Sequence, residues 1–201
     1  FQNISKYLRL SNLPFNLPPS KNSAIKIIVW PETAIPAFLE EDEKLRRLIM
    51  DSIAGPSILV TGAPAIATQN PAGLHNSFFV LSQAGDILSR YDKVKLVPFG
   101  EYVPFKKWLP ISRLVESLAD FRAGTGSKFI DIPLLGKISP LICYEVIFPG
   151  AILSEEKESK PKLIINLTND AWFGNGAGPK QHREIARMRA IEEGVPLIRS
   201  A

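Results

Sequence analysis

Three reactive side chains stand at separate points of this sequence, each beside a segment that the residue pattern predicts to be a strand. Cys143, the only cysteine among the 201 residues, ends an apolar run. Glu32 follows a second apolar run, and Lys93 and Lys95 follow a third segment. A thiol nucleophile needs a base that removes its proton and a cation that stabilises the oxyanion. Together these side chains supply the parts of a site for nucleophilic catalysis by a thiol.

Each of these residues also has a simpler interpretation. A lone cysteine is often a buried core residue, and Glu32 could cap a following helix. Lys93 and Lys95 are two residues apart, so in a strand both would point to the same face. The residue types alone therefore do not choose between the two lysines.

The pattern of apolar residues predicts strands that alternate with helices, which is typical of an α/β sandwich. Helices are predicted at 38–53, with an acidic run at 40–43 in the first turn, and at 179–193, where Gly194 follows the end. Strands are predicted at 24–29, 57–61, 76–82, 86–91, 129–132, 137–143, 162–167 and 195–199.

Composition excludes several classes of protein. A formal charge of +4 with no basic run gives no support for nucleic-acid binding. No stretch of 18 or more apolar residues is present, so no membrane-spanning helix is predicted. His182 has no second histidine or carboxylate at metal-ligand spacing, so we expect a core or helix-face histidine and no metal.

Five segments carry a resemblance to a known family: WPETAIP at 30–36, YDKVKLVPFGEYVPF at 91–105, ICYEVIFP at 142–149, LTNDAWFG at 167–174 and GPKQHREIARMRAIEEGVPLIRSA at 178–201. Their order and flanks resemble the nitrilase superfamily of carbon–nitrogen hydrolases and, within it, the apolipoprotein N-acyltransferases. The resemblance implies a nitrilase-like α-β-β-α sandwich. It also implies that residues 1–201 form one incomplete catalytic domain, truncated at both ends, from a parent protein whose transmembrane regions lie outside this sequence.

The resemblance assigns roles to the reactive residues. Cys143 would be the nucleophile that forms a thioester with the transferred acyl chain, and Glu32 would be the general base. The family pattern selects Lys93 as the cation that stabilises the oxyanion, which leaves Lys95 as a surface or loop lysine. No cofactor is implied.

Further residues are expected around this triad. By resemblance Glu101 belongs to the active site and holds Lys93 or Glu32, although a structural salt bridge is the simpler alternative. Tyr144 and Glu145 follow the nucleophile and are expected to support it.

Three aromatic residues are candidates for an acyl pocket. Trp172 and Phe173 follow a predicted strand end, where loop packing is the alternative. Trp108 lies in the segment 105–121, which the pattern describes equally well as an interfacial lid, with Lys106 and Lys107 near lipid phosphates, or as a helix packed on the domain.

The reaction implied is ping-pong transfer of an acyl chain from a phospholipid to the diacylglyceryl-cysteine at the N-terminus of an apolipoprotein. The implied partners are the phospholipid donor, the apolipoprotein acceptor and a membrane surface. The implied location is the bacterial inner membrane, with this domain on the periplasmic side. The main alternative is a soluble amidase or nitrile hydrolase with the same Glu32, Lys93 and Cys143. A non-catalytic adaptor on the same fold is a further alternative.

Overall fold

Two four-stranded sheets face each other, and helices cover their outer sides. The computed structural model describes residues 2–14, 25–67, 73–102, 121–125, 129–150 and 160–201. Within these residues the strands are β1 Lys26–Val29, β2 Ser57–Ala67, β3 Gly73–Leu81, β4 Ile87–Asp92, β5 Ile130–Ile132, β6 Gly136–Ile142, β7 Leu163–Leu167 and β8 Leu197–Ser200. The helices are α1 Gln2–Ser11, α2 Glu43–Asp51 and α3 Gly178–Glu193, with short 3₁₀ turns at Cys143–Ile147 and Asp170–Phe173.

The first sheet has the order β1-β2-β3-β4 and the second has the order β5-β6-β7-β8. In the first sheet β1 and β2 are parallel and the other pairs are antiparallel. In the second sheet β6, β7 and β8 are parallel and β5 pairs antiparallel with β6. Parallel neighbours end at the same edge of a sheet, so reactive residues that follow these strands are brought together.

Side chains alternate between the two faces of each strand, and the buried ones form three separate apolar cores. Ile58 and Val60 of β2 face the space between the sheets, whereas Leu59 packs with the core that includes α2. In β7, Ile165 faces the space between the sheets and Ile164 packs toward α3. Successive side chains of a strand point to opposite faces, so two sheets with helices outside give three apolar layers. The predicted α-β-β-α sandwich is therefore confirmed.

The predicted strands and the helix at 179–193 are present with shifted ends. α3 ends as expected at Gly194, which adopts the left-handed conformation at φ 59°. β2 is longer than predicted because its pairing with β3 continues to Ala67. Cys143 is not the last residue of β6, since the strand ends at Ile142 and the cysteine begins a 3₁₀ turn.

The helix predicted at 38–53 is shorter than expected. Its acidic run does not lie wholly in the first turn, because Asp42 caps the helix by accepting a hydrogen bond of 2.8 Å from the Leu45 backbone N–H. The preceding residues form a separate turn in which the Asp42 backbone N–H donates to the Phe38 carbonyl. A carboxylate at the N-cap position defines where a helix begins, so α2 starts at Glu43.

Helix α1 was not predicted from the sequence, and it supports the region that precedes Glu32. The ring of Tyr7 lies 5.4 Å from that of Trp30, and the Trp30 indole N–H donates to Ser11 Oγ. Trp30 is buried two residues before Glu32. None of the described helices is both long enough and apolar enough to cross a bilayer.

Candidate active site

Glu32, Lys93 and Cys143 meet at one end of the sandwich, each just after a strand. Glu32 follows β1 and Lys93 follows β4 in the first sheet, and Cys143 follows β6 in the second. All three are buried, and Lys93 Nζ lies 3.7 Å from Glu32 Oε1. The thiol lies within the electrostatic influence of both charged groups. The structure thus brings the three predicted residues together, while their catalytic roles stay a prediction.

The turn that carries Glu32 is held by a close approach of β2. The Gly62 N–H donates to the Pro31 carbonyl, and the Gly62 carbonyl accepts from the Ile35 N–H. A Cβ at Gly62 would lie 2.5 Å from the Thr33 backbone nitrogen and 2.7 Å from Glu32 Cα. Only glycine therefore allows β2 to support the turn at this distance.

The backbone at Cys143 adopts a conformation that residues with a Cβ rarely occupy. Its φ is +50°, in the left-handed region, which is unfavourable by about 1–2 kcal/mol for an L-residue. Strained backbone of this kind is often found at functional sites, where surrounding contacts maintain it. The geometry ends β6 sharply and places the cysteine at the start of the Cys143–Ile147 turn.

Lys93 is held as a cation between two carboxylates. Its Nζ donates to Glu101 Oε1 at 2.9 Å, in addition to its longer contact with Glu32. Burial alone would lower the pKa of Lys93, but the negative charges of Glu32 and Glu101 outweigh it, and Cys143 adds to their effect. The pKa therefore stands above its usual value, and the ammonium is available to stabilise an oxyanion.

Lys95 occupies a different environment from Lys93. It is exposed, and its ammonium lies 5.6 Å from the centre of the Phe148 ring. The expectation that both lysines share a face does not apply, because β4 ends at Asp92 and both lysines follow it. The geometry agrees with the family pattern that selects Lys93.

Asn76 links the two carboxylates, and sequence reasoning did not identify it. Its side-chain N–H₂ donates to Glu32 Oε1 at 2.7 Å and to Glu101 Oε1 at 2.9 Å. The backbone carbonyl of Asn76 also accepts from the Lys93 N–H. The available signal was one polar amide within the largely apolar strand β3.

The surroundings of the Cys143 thiol favour its protonated form by raising its pKa. Burial raises its pKa above the ordinary value, and the Glu32 carboxylate raises it further. Lys93, the Thr168 hydroxyl and the Asn169 backbone N–H act in the opposite direction without reversing the shift. A protonated thiol needs a base before it can attack, and Glu32 is the carboxylate whose charge acts on it.

Thr168 and Asn169 are further site residues that sequence reasoning missed in these roles. The Asn169 backbone N–H donates to Glu32 Oε2 at 2.8 Å. Thr168 is fully buried, and its hydroxyl acts to lower the pKa of the thiol. Both residues follow β7, which is adjacent to β6, so the sheet topology places them beside Cys143.

Glu145 links the loop after Lys93 to the turn of Cys143 through hydrogen bonds. Its Oε1 accepts from the Tyr91 hydroxyl and from the backbone N–H groups of Val94 and Lys95, and its Oε2 accepts from the Ile142 N–H. Four donors converge on one buried carboxylate. The side chain therefore holds the two segments together, while its supporting role in catalysis stays a prediction.

Glu101 and Tyr144 also lie at the site. Glu101 contacts Lys93 directly and accepts the Val97 backbone N–H at 2.8 Å through its second oxygen. Tyr144 is half-buried, and its ring meets that of Phe148 edge-on at 5.1 Å. Glu101 thus combines the salt bridge that was the simpler alternative with a position inside the site.

The predicted acyl-pocket aromatics lie toward the surface or outside the described residues. Trp172 is 78% exposed and Phe173 is 46% exposed. The Phe173 ring packs 5.5 Å from the ring of His182. Trp108 and the rest of the segment 103–120 fall outside the described residues. The pocket role of these aromatics stays a prediction.

His182 is buried and contacts the backbone of Cys143 from α3. Its Nε2 lies 3.3 Å from the Cys143 carbonyl oxygen, and its Nδ1 lies 3.1 Å from Asp170 Oδ1. Arg199 Nη2 donates to both oxygens of Asp170 at 2.8 and 2.7 Å. Across the described residues no three histidine, cysteine, aspartate or glutamate side chains are arranged to hold a metal ion.

The fold and this constellation define a class of protein. The carbon-nitrogen hydrolase family profile matches residues 1–201, so the chain belongs to that family. Two solved structures share the fold. A cysteine-to-alanine mutant of the Nesterenkonia AN1 amidase, from the nitrilase superfamily, has a TM-score of 0.61 and 19% identity, covering 99% of this chain and 69% of that one. A nitrilase-superfamily protein from Saccharomyces cerevisiae has a TM-score of 0.57 and 22% identity, covering 88% and 62%.

Curated relatives are more similar in sequence. The apolipoprotein N-acyltransferase of Rhizobium rhizogenes is 42% identical over 204 residues, which cover 98% of this chain and 37% of that protein. The apolipoprotein N-acyltransferase of Bradyrhizobium diazoefficiens is 39% identical, over 98% of this chain and 38% of that protein. The chain thus spans somewhat more than a third of the length of these relatives.

Proposed function

We propose that this chain is the catalytic part of an apolipoprotein N-acyltransferase. The observation that carries the proposal is the convergence of Glu32, Lys93 and Cys143 in one buried site. The similarity to curated acyltransferases over 98% of the chain supports the choice of reaction. The acyl donor would be a phospholipid, and the acceptor would be the diacylglyceryl-cysteine at the N-terminus of an apolipoprotein.

The first half-reaction loads the enzyme. Glu32 takes the proton from the Cys143 thiol, and the thiolate attacks the ester carbonyl of the phospholipid. Lys93 and backbone N–H groups stabilise the oxyanion of the tetrahedral intermediate. When the intermediate collapses, the carbon–oxygen bond breaks, and the departing alkoxide takes the proton from Glu32. A lysophospholipid leaves, and the acyl chain stays on Cys143 as a thioester.

The second half-reaction transfers the acyl chain. The α-amine of the acceptor attacks the thioester carbonyl, and Glu32 receives a proton from the attacking nitrogen. The carbon–sulfur bond breaks, the amide forms, and the thiolate regains the proton from Glu32. Water must be excluded from the loaded site, because it would hydrolyse the thioester.

Exposed aromatic residues support a location at a membrane surface. Phe99 is 65% exposed and Trp172 is 78% exposed, and both follow segments that build the site. Large aromatic side chains are favoured where an apolar phase meets water. We infer that this face meets the bacterial inner membrane from the periplasmic side, where both lipid substrates would be reached.

A single-turnover experiment on the full-length protein tests the proposal. The protein is first incubated with phospholipid, and a synthetic diacylglyceryl-cysteine peptide is then added. We expect the peptide to gain one acyl chain, and we expect no product with Cys143→Ala. Turnover of small amides or nitriles, with no peptide acylation by a folded protein, would instead indicate the amidase alternative.

A further inference from the structure

A cavity of about 610 Å³ lies beside the turn of Cys143 and the loop that follows Lys93. Four aromatic side chains are among its lining residues: Tyr102, Phe121, Tyr144 and Phe148. A cavity of this size is ordinary for a site that holds a small molecule or part of a larger ligand. It is distinct from the position of Trp172 and Phe173, which do not line it among the described residues.

Two cations also line this cavity, Lys95 and Arg122. The Lys95 backbone N–H is held by Glu145 at 3.0 Å, and its ammonium lies over the Phe148 ring. Both backbone polar groups of Arg122 have partners: its N–H donates to the Leu74 carbonyl, and its carbonyl oxygen contacts a ring nitrogen of His75. The backbone at each position is therefore fixed, while the charged group remains available.

Neither cation has an anionic partner in the described part of the chain. No carboxylate of the described residues lines the cavity, and no ion pair there involves Lys95 or Arg122. Two positive charges beside an apolar wall match a ligand that joins one anionic group to an apolar chain. A phosphate diester is well suited to both an ammonium and a guanidinium.

We propose that this cavity is the donor subsite, in which Lys95 and Arg122 bind the phosphate diester of the phospholipid while the aromatic walls contact its glycerol and the start of an acyl chain. The proposal rests on the proposed function and adds the group that recognises the donor. Lys95 lies two residues after Lys93, so their Cα atoms are at most about 7 Å apart. A phospholipid carries its phosphate only a few covalent bonds from the ester carbonyl, so one molecule can reach both lysines.

The test compares two acyl donors that carry the same fatty acid. One is phosphatidylglycerol and the other is the p-nitrophenyl ester, which lacks a phosphate. Acylation of Cys143 in the full-length protein is followed by mass spectrometry for Lys95→Met, Arg122→Met and the double variant. Lys137→Met is the matched control, because Lys137 also lies over a phenylalanine ring, 5.5 Å from the centre of Phe129, but does not line the cavity.

We expect each single variant to lower kcat/KM for phosphatidylglycerol by roughly tenfold, the loss of about one charge-assisted hydrogen bond. The rate with the p-nitrophenyl ester should change by less than about twofold on the same scale. Equal losses with both donors would show a structural effect and overturn the proposal. An unchanged rate with phosphatidylglycerol would overturn it too.

A binding measurement separates this proposal from the acyl-transfer proposal. Soluble dihexanoyl phosphatidylglycerol is titrated into Cys143→Ala protein with and without Lys95→Met. Weaker binding in the Lys95 variant, without any acylation of the unaltered protein, would retain the subsite and refute acyl transfer. Acylation with no difference in binding would retain acyl transfer and refute the subsite. Equally tight binding of glycerol 3-phosphate would indicate a site for free phosphate and overturn the donor subsite.

Discussion

The substitution Glu145→Gln tests whether one buried carboxylate holds together the segments that carry Lys93 and Cys143. Glu145 accepts hydrogen bonds from the Tyr91 hydroxyl and from the Val94, Lys95 and Ile142 backbone N–H groups, all at 2.8–3.0 Å. Three of these donors share Oε1, and the Ile142 N–H uses Oε2. The glutamine amide keeps one oxygen, which can take the place of Oε1 and accept the same three hydrogen bonds. Its N–H₂ group would then face the Ile142 N–H.

The magnitude follows from this count. Glutamine loses one hydrogen bond to a charged acceptor and leaves a buried backbone donor without a partner, which together destabilise by about 2–4 kcal/mol. Glu145→Ala leaves all four donors without the carboxylate, and we expect a loss of at least about 4 kcal/mol, reduced where water enters. Glu41→Gln is the matched control, because Glu41 is exposed and its carboxylate lies outside the site.

The assay is urea-dependent alkylation of Cys143 in the full-length protein, read by mass spectrometry of the peptide that contains it. The assay gives the free energy of the opening that exposes Cys143 to the reagent. This free energy should fall by about 2–4 kcal/mol in Glu145→Gln and change by less than about 0.5 kcal/mol in Glu41→Gln. If the free energy of opening fell by less than about 0.5 kcal/mol in Glu145→Gln, the carboxylate would not be what holds the two segments together.

Glu145 also predicts a pH dependence. Burial raises its pKa above the ordinary value of 4.5, although the backbone N–H groups of Lys95 and Ile142 oppose the shift. The folded state therefore holds this proton more tightly than the unfolded state. The part of the stability that is linked to this proton is fully present below pH 4.5 and is lost as the pH rises through the folded pKa. This component should be absent from the pH profile of Glu145→Gln.

Three further predictions follow from the same geometry. Because the pKa of the Cys143 thiol lies above its ordinary value of 9.0, its alkylation by iodoacetamide should be slow at pH 7 and should still accelerate above pH 9.0. Asp170→Asn should destabilise the fold by roughly 2–3 kcal/mol in urea unfolding at pH 7, since Arg199 loses a carboxylate. Burial opposes ionisation of Asp170, but hydrogen bonds outweigh it and lower its pKa, so its stabilising effect should be lost as the pH falls below 3.8. Gly62→Ala should slow acylation of Cys143 at least about tenfold, because its Cβ would displace the turn of Glu32.

Each of these has a clear contrary result. A thiol alkylation rate that reaches its plateau below pH 8 would mean that the pKa of Cys143 is not raised. Unchanged unfolding of Asp170→Asn would mean that its pair with Arg199 adds nothing. The control for Gly62→Ala is Gly176→Ala, whose Cβ would meet no atom within 4 Å. Equal acylation rates in the two alanine variants would contradict the close approach at Gly62.

The sequence could predict that strands precede Glu32 and Cys143, although not their exact ends, because the signals for a strand are local. Apolar runs before Glu32 and Cys143 indicate strands, and the alternation of strands with helices indicates the layered α/β fold. The predicted start of α2 was wrong because several neighbouring acidic residues could each occupy the N-cap position. Only the structure shows that Asp42 is the N-cap residue. Intrinsic helix preference does not distinguish these neighbours.

Other parts of the site depend on contacts between distant segments. Asn76 lies 44 residues from Glu32, and the Asn169 N–H lies 137 residues from the same carboxylate, so no local pattern connects them. Lys93 and Lys95 could not be separated by strand alternation, because the strand ends before both. The family resemblance selected Lys93, and the structure gives the physical difference between a buried ammonium and an exposed one.

The most direct test of the central proposal is intact-protein mass spectrometry of the full-length protein after incubation with phospholipid and no amine acceptor. The account predicts an added mass of one acyl chain, mapped to Cys143, released by hydroxylamine and absent in Cys143→Ala. A folded protein that releases lysophospholipid without any adduct on Cys143, or that carries the acyl chain on another residue, would contradict it.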